Sequence, residues 1–495
     1  MATNEKTPLS IQVPPTTTAA KEAAAHRRSV DTPRTVDRKR KWRKKLLYLV
    51  AAKQFLATQR QQPKGWKDGS LELIKSTWLN ALFLLVLLVP FFPTQEAVRF
   101  TLGALALLPL ATLLGDVTEK VAYHTSDTIG GLLNATFGNA TEVIVSVFAM
   151  RLGLIDVVQS SLLGSVLSNM LLVLGTAFIA CGMKRKVARF NSLAASANTS
   201  LLLVAVLAIA VPAVLTAADE IEEQDIQTFS HIVSLAMLGV YGVYIYFQLS
   251  SHAYMFEDED ESGSSPRGGR SRRQSVGFSD VVLAAAHRNN LPPFDGSAAE
   301  LLEDDEDEDE YVLELRVAVA WLGGLTILIS LLSEIVCNAI EGAAEAWHVP
   351  PVFVGFVLLP IVGNAAEHAT AIGMAYRGKL DLAIAVALGS STQIALFVIP
   401  LMVVLGWATP GLDDNMTLDF RPYETAITML SVLIVAFQVQ VGEVTYLSGV
   451  ILVVAYCIIS VSYIFLNRKQ DNVVDPMPGV DPADAGRRFL RGAAA

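Results

Sequence analysis

The sequence predicts an all-α, polytopic membrane protein with about eleven transmembrane helices. Composition supports this class, because 52% of the 495 residues are apolar and only 17% are charged. Much of the apolar content lies in runs of about 20 residues, the length that crosses roughly 30 Å of hydrocarbon. An internal repeat, described below, predicts that the helices form two related sets of five, inverted relative to each other, after one extra N-terminal helix.

The N-terminal tail, residues 1–70, is polar and contains a basic cluster at residues 38–45. Basic residues beside membrane spans are enriched on the cytosolic face, so we expect this tail to be cytosolic. Apolar runs after the tail predict spans at residues 73–92, 98–120, 129–150, 157–181, 193–216, 229–250, 314–341, 351–376, 382–407, 421–440 and 444–466.

The charges of the connecting loops agree with this orientation. Residues 184–186, after the fourth span, and residues 377–379, after the eighth, are basic and fall on the cytosolic side. The acidic loops at residues 219–225 and 413–414 fall on the opposite, lumenal side. An odd number of spans also places the tail at residues 467–495 on the lumenal side.

A long polar insert separates two groups of five spans. Its acidic runs, residues 257–261 and 303–310, hold thirteen carboxylates, without which the net charge of −10 becomes +3. This local acidity favours a cation rather than nucleic acid as a partner, and the composition is typical of a disordered linker. After the N-terminal tail, the sequence predicts a leading helix at residues 71–96 and a first repeat at 97–250. The insert follows at 251–312, the second repeat at 313–466 and a C-terminal tail at 467–495.

The two groups of five spans are related by one constant shift along the chain, without a gap. Residues 138–142 (GNATE) fall on residues 363–367 (GNAAE), and the LGS segment at 163–165 falls on 388–390. The matches lie on glycine and polar positions, which lipid-like composition does not explain. Because five spans are an odd number, the second copy is predicted to cross the membrane in the opposite sense. Inverted repeats of this kind place a substrate site near the midplane, where the copies meet.

Glu142 and Glu367 lie well inside the third and eighth predicted spans. A carboxylate in hydrocarbon is costly, so it generally faces a cavity and has a function. Two such groups close together cannot both stay ionised, but they can hold two protons or one divalent cation. This mutual exclusion is the chemistry of an antiporter. The structural alternatives are a protonated glutamate bonded to a neighbouring helix or an ion pair, although no Lys or Arg lies in the middle of a predicted span.

Asn139 and Asn364 each precede a glutamate by three residues, on the same helical face. Their amide oxygens are hard ligands suited to Ca2+, which takes six to eight oxygens, whereas zinc and copper prefer Cys and His. His368 is a candidate for proton coupling, with a hydrogen bond to a neighbouring helix as the alternative. Further residues are candidates for lining the site, with helix packing or an interhelical hydrogen bond as the alternative: Gly138, Gly363, Ser165, Ser390, Ser168 and Gln393.

Residues 130–140 (GGLLNATFGNA) and 360–368 (PIVGNAAEH), together with the Gly-Ser segments and the acidic insert, resemble the cation/proton exchanger branch of the Ca2+/cation antiporter superfamily. The resemblance covers about residues 70–466. It implies the loading of Ca2+ into a vacuole or another acidic endomembrane compartment, driven by lumenal protons. It also implies alternating access, with Glu142 and Glu367 as the shared site for Ca2+ and H+.

The sequence therefore predicts a secondary active transporter and not an enzyme, with no cofactor besides the transported Ca2+ and H+. The expected partners are these ions and the lipid bilayer, and transport of Mn2+ and assembly into a homo-oligomer stay open. The alternatives of the same fold are a Na+- or K+-coupled Ca2+ exchanger and a Mn2+ or broad divalent cation:proton exchanger. A cation channel and an intramembrane enzyme are more distant alternatives.

Overall fold

The computed structural model describes residues 63–252 and 312–466, except 77, 93, 126, 410, 411 and 413–415. All helices given below belong to one compact unit. The basic cluster at 38–45, both acidic runs, the acidic pair at 413–414 and most of the two tails lie outside the described residues. Predictions on those segments stay predictions.

Fifteen helices and one short two-stranded pairing make up the regular structure of the described residues. The leading part and the first repeat contain α1 Trp66–Lys75, α2 Leu79–Leu88, α3 Glu96–Tyr123, α4 Asp127–Phe137, α5 Ala140–Arg151, α6 Ile155–Lys184, α7 Ser192–Ala217 and α8 Gln224–Ser251. The second repeat contains α9 Leu315–Asn338, α10 Ile340–Trp347, α11 Pro351–Gly363, α12 Ala365–Tyr376, α13 Leu380–Ala408, α14 Pro422–Gln440 and α15 Tyr446–Phe465. The strands β1 Ala188–Arg189 and β2 Glu443–Val444 pair antiparallel.

Eight of these helices are long and apolar enough to cross a membrane. The number rises to as many as eleven if each of three bent pairs counts as one span: α1 with α2 at 100°, α4 with α5 at 43°, and α10 with α11 at 107°. The all-α membrane class is thus confirmed. The count of eleven stays a prediction, since it depends on how the bent pairs cross the bilayer.

The predicted spans that carry the glutamates are interrupted rather than continuous. The span expected at 129–150 breaks at residues 138–139, and the one expected at 351–376 breaks at Asn364. Asn139 (φ −108°, ψ 17°) and Asn364 (φ −88°, ψ 16°) adopt the bridge conformation between the paired helices. The cause is local, because glycine and asparagine are the residues at which helices commonly end and begin again.

The constant shift between the two copies, found in the sequence, recurs in the helix boundaries. Helices α5 and α12 begin at Ala140 and Ala365, and helices α6 and α13 begin at Ile155 and Leu380. Helices α6 and α13 also widen to π-helical geometry at corresponding places, Ser168–Val173 and Ile394–Val398. Such π segments are rare and often occur at functional sites.

Helix packing follows the same correspondence. Helix α3 packs on its counterpart α9, α7 packs on its counterpart α14, and the pair α6 with α15 is matched by α13 with α8. This pattern is what two copies around a common axis produce. The most apolar windows of α6 and α13 are 83% and 67% buried inside the protein, against 22% for α8 and 28% for α15, so α6 and α13 form the centre. The inverted membrane orientation of the copies stays a prediction.

Candidate functional site

The two glutamates lie at helix N-termini, a position that the continuous predicted spans did not indicate. Glu142 and Glu367 are each the third residue of their helix, α5 and α12 respectively. The helix break before each glutamate exposes the positive end of a helix dipole, which favours a negatively charged group there. Both carboxylates are therefore placed in a polar setting although the surrounding segments are apolar.

Each of these glutamates keeps one buried carboxyl oxygen without a hydrogen-bond partner among the described residues. These atoms are Glu142 Oε2 and Glu367 Oε2. Glu142 as a whole residue is only 9% exposed. The carboxyl groups are close enough to interact electrostatically. Buried acceptors without donors are destabilising, and a bound proton or cation removes that cost.

Gly363 brings the second motif against the glutamate of the first. An added Cβ at Gly363 would lie 3.0 Å from Glu142 Oε1. A Cβ at its counterpart Gly138 would instead meet Asn134 O, within the preceding helix, at 2.6 Å. The close approach at Gly363 therefore involves the candidate carboxylate, whereas the one at Gly138 is local.

The two asparagines each reach the central helix of the other repeat. Asn139 Nδ2 donates to Gln393 Oε1 at 2.7 Å and to Ala135 O at 3.1 Å. Asn364 Nδ2 donates to Ser165 O at 3.2 Å, which leaves Asn364 Oδ1 buried and without a donor in the described part of the chain. These bonds orient the amides, and the buried acceptor of Asn364, which has no donor among the described residues, suits the predicted role of a cation ligand.

The predicted serines and histidine are placed less uniformly. Ser390 Oγ accepts a hydrogen bond from Asn169 Nδ2 at 2.9 Å, and so joins the same polar layer. Ser168 is fully buried in the π segment of α6, beside Tyr456 of α15. His368 is half-buried in the first turn of α12, where its backbone N–H donates to Asn364 O at 3.0 Å. Its role in proton coupling, like the ligand and lining roles above, stays a prediction.

Asn169 is a candidate that the comparison of repeats did not single out. Its side chain is fully buried, and its Oδ1 atom has no donor among the residues described. The corresponding residue of the second copy is Ile394, so a search for matched polar positions passes over it. The signal available in the sequence is a carboxamide within an otherwise apolar span.

A cleft adjoins Glu142. Its walls come from α3, α5, α6 and α11, and its lining includes Glu142 and Gly363 but not Glu367. Polar groups that the sequence analysis did not propose, Thr141, Ser146 and Ser161, also line it. Of the two carboxyl groups, this cleft therefore contacts only that of Glu142.

Known proteins resemble this chain over most of its membrane part. Residues 96–250 and 317–465 match the family described as "Sodium/calcium exchanger protein". Vacuolar cation/proton exchanger 3 of Oryza sativa subsp. japonica is 42% identical over 390 residues, which cover 76% of this chain and 84% of the relative. Vacuolar cation/proton exchanger 2 of Arabidopsis thaliana is 39% identical over 412 residues, covering 81% and 85%.

A solved structure shares the fold. The crystal structure of the selenium-substituted Ca2+/H+ antiporter protein YfkE superimposes with a TM-score of 0.59 at 29% identity. The match covers 78% of this chain and 98% of that one. The resemblance stated from the sequence motifs is confirmed by these matches.

Proposed function

The chain belongs to the cation/proton exchangers of the sodium/calcium exchanger protein family, and we propose that it exchanges Ca2+ for H+ at Glu142 and Glu367. Its membership of this group supports proton coupling over the Na+- or K+-coupled alternative. Ca2+ as the cargo is supported by the likeness to YfkE and by the oxygen chemistry of the site.

The observation that carries this proposal is the pair of buried carboxyl groups from corresponding positions of the two repeats, each with an oxygen that lacks a donor. If both groups are ionised, their charges repel in a poorly solvated environment. Two protons remove that repulsion, and so does one divalent cation. The two loaded forms exclude each other, so binding of Ca2+ has to release protons.

The charge of the site suits a transported ion rather than a resident one. Within residues 63–252 and 312–466, no group of three or more His, Cys, Asp or Glu side chains is placed to hold a metal. Two carboxylates neutralise one Ca2+ without excess charge. Neutral oxygens from Asn364, Asn139 and water complete a flexible coordination shell. Such a shell releases its ion when protons return.

Transport requires that the site opens to one side at a time. The helix breaks at Asn139 and Asn364 provide places where α5 and α12 change their angle to α4 and α11, beside the cleft that adjoins Glu142. The relatives are vacuolar proteins, so we place this chain in a vacuolar or other acidic endomembrane, with its N-terminal tail cytosolic. In this role it is a secondary active transporter that needs no resident cofactor.

Proton release on Ca2+ binding tests this proposal directly. Purified protein in weakly buffered detergent solution is titrated with Ca2+, and a pH dye records the protons set free. The wild type should release protons as it binds Ca2+, while Glu142→Gln and Glu367→Gln should each bind Ca2+ at least about tenfold more weakly. Glu443→Gln is the matched control, because Glu443 pairs with exposed Arg189 on the β1–β2 pairing. Binding of Ca2+ without proton release would contradict the proposal.

A further inference from the structure

A third carboxyl group is buried away from the candidate site. Glu424 lies in the first turn of α14 and is only 1% exposed. Ser160 Oγ, on α6, donates to Glu424 Oε1 at 3.0 Å. A buried carboxylate is costly when it is ionised and has no cation as a partner. The protonation state of Glu424 therefore matters to the interface between α6 and α14.

The cation nearest in sequence to Glu424 is bound to a different carboxylate. Arg421 Nη2 donates to Asp156 Oδ2 at 2.6 Å. Within the described part of the chain, the remaining titratable group that faces Glu424 is Tyr463 of α15, which has Tyr423 of α14 beside it. The surroundings of Glu424 are therefore the hydroxyl group of Ser160, the phenol of Tyr463 with a second phenol beside it, and the Arg421–Asp156 ion pair. A charge on Glu424 would perturb that ion pair.

One face of α6 binds the segment that contains Glu424. Asp156, Gln159 and Ser160 are spaced so that they lie on the same side of the helix. Gln159 Nε2 donates to Thr417 O at 3.3 Å and to Asp419 O at 3.2 Å. Together with the bonds to Arg421 and Glu424, these contacts dock the beginning of α6 on the beginning of α14.

The corresponding interface of the second repeat, between α7 and α13, keeps a counterpart of Asp156, which is Asp381, but has no counterpart of Glu424. Under the shift that relates the two copies, Ser160 corresponds to Ala385 and Glu424 to Thr199, and α7 packs on α13 there. Thr199 Oγ1 donates within its own helix, to Ala195 O at 3.2 Å. This interface uses Asp381, whose Oδ1 accepts from Asn191 N at 2.6 Å, but it packs without a carboxyl group at the place of Glu424. Helix packing alone therefore does not account for Glu424.

We propose that Glu424 is a proton-binding positioning residue, which adjusts the docking of α6 on α14 to the pH of the lumen. The inference rests on the proposed exchange function. Helix α6 carries Ser165 and Asn169 to the site, and Ser161, next to Ser160, lines the cleft that adjoins Glu142. The predicted topology places the beginning of α6 and of α14 on the lumenal side, where the protons of an acidic compartment arrive.

The two states of Glu424 have different consequences for the docking. A protonated Glu424 is neutral and fits the interface as described. An ionised Glu424 places a charge beside Asp156, competes with it for Arg421 and attracts water, and all three effects weaken the contact between α6 and α14. An acidic lumen therefore stabilises the docked arrangement.

The test uses full-length protein in vesicles, with the lumenal pH set between about 5.5 and 7.5 and 45Ca2+ uptake as the readout. Glu424→Gln mimics the protonated state under the same driving force as the wild type. Its rate at acid lumenal pH should match the wild type, and its rate should fall less as the lumen approaches neutrality. A single required proton contributes up to about tenfold per pH unit, so the difference between the two profiles is measurable.

Ser160→Ala and Thr199→Val complete the series. Ser160→Ala removes a donor that favours the ionised carboxylate, so its profile should shift to higher pH, whereas Thr199→Val, at the equivalent interface, should follow the wild type. If Glu424→Gln does not fold, the double variant S160A/E424T, which resembles the second interface, replaces it. The expected result for this double variant is the same shallow profile.

Two results would overturn the inference while leaving the exchange function in place. One is a Glu424→Gln profile that superimposes on the wild type. The other is a loss of rate by the same factor at every lumenal pH, which indicates a structural role only. Absence of proton-driven Ca2+ uptake by the wild type would instead overturn the proposed function, and the inference with it.

Discussion

Substitution of Gly363 by alanine tests the contact between the two repeats at the candidate site. The added Cβ would lie 3.0 Å from Glu142 Oε1, whereas ordinary contacts begin at 3.4 Å. The carboxyl group of Glu142 therefore has to move by about 0.4 Å or more, since Gly363 ends a helix whose backbone is packed into the protein.

The expected effect follows from this displacement. A misplacement of about 1 Å in a functional group can cost about 100-fold, so about 0.4 Å corresponds to roughly sixfold. We expect Gly363→Ala to raise the Ca2+ concentration for half-maximal transport by about three- to tenfold, equivalent to about 0.7–1.4 kcal/mol. The maximal rate should change less, because the carboxyl group is still present.

Uptake of 45Ca2+ into vesicles, measured over a range of Ca2+ concentrations, provides the assay. Gly373→Ala is the matched control, because Gly373 lies in α12 and an added Cβ there meets nothing within 4 Å. Alanine is a better helix former than glycine, so this control should be neutral or stabilising by up to about 1 kcal/mol. Equal half-maximal concentrations for the wild type and Gly363→Ala, or equal losses in both variants, would refute the reasoning.

Three further predictions concern other contacts. Asn139→Ala removes the 2.7 Å bond to Gln393 and should lower the free energy of unfolding by about 1–3 kcal/mol, with weaker Ca2+ binding; thermal unfolding and Ca2+ titration check both effects. Asn191→Ala removes the side-chain cap of α7 and should cost about 1 kcal/mol in thermal unfolding without a change in transport, and a transport defect would contradict this. Burial raises the pKa of Asp419, although a hydrogen bond with Thr216 opposes the shift. The folded state then binds this proton more tightly than the unfolded state, so stability falls as the pH rises above about 4, and Asp419→Asn should reduce that fall in pH-dependent melting curves.

The long helices could be predicted from hydropathy, because the thickness of the bilayer fixes their length. The run predicted at 98–120 is α3, Glu96–Tyr123, and the run at 193–216 is α7, Ser192–Ala217. The breaks before Glu142 and Glu367 were not predicted. A hydropathy window as long as a whole span averages over the Gly-Asn pairs. Their asparagines were interpreted as cation ligands and their glycines as site-lining residues, rather than as helix ends.

The candidate site was found by comparing the two repeats. This comparison finds only residues that have a similar residue at the matched position of the other repeat. Glu142 and Glu367 stand at matched positions, and so do the asparagines bonded across the repeats. Asn169 and Glu424 have apolar or smaller counterparts, Ile394 and Thr199, so no match draws attention to them. Their burial and their polar contacts between distant segments become visible only in three dimensions.

The central claim is that a proton gradient drives Ca2+ across the membrane through Glu142 and Glu367. The most direct measurement is 45Ca2+ uptake into vesicles of purified protein with an acidic interior and no Na+ or K+ gradient. The account predicts uptake that a protonophore abolishes, and no uptake by Glu142→Gln or Glu367→Gln inserted in equal amounts. Uptake that needs internal Na+, or that persists at the wild-type rate in either variant, would contradict it.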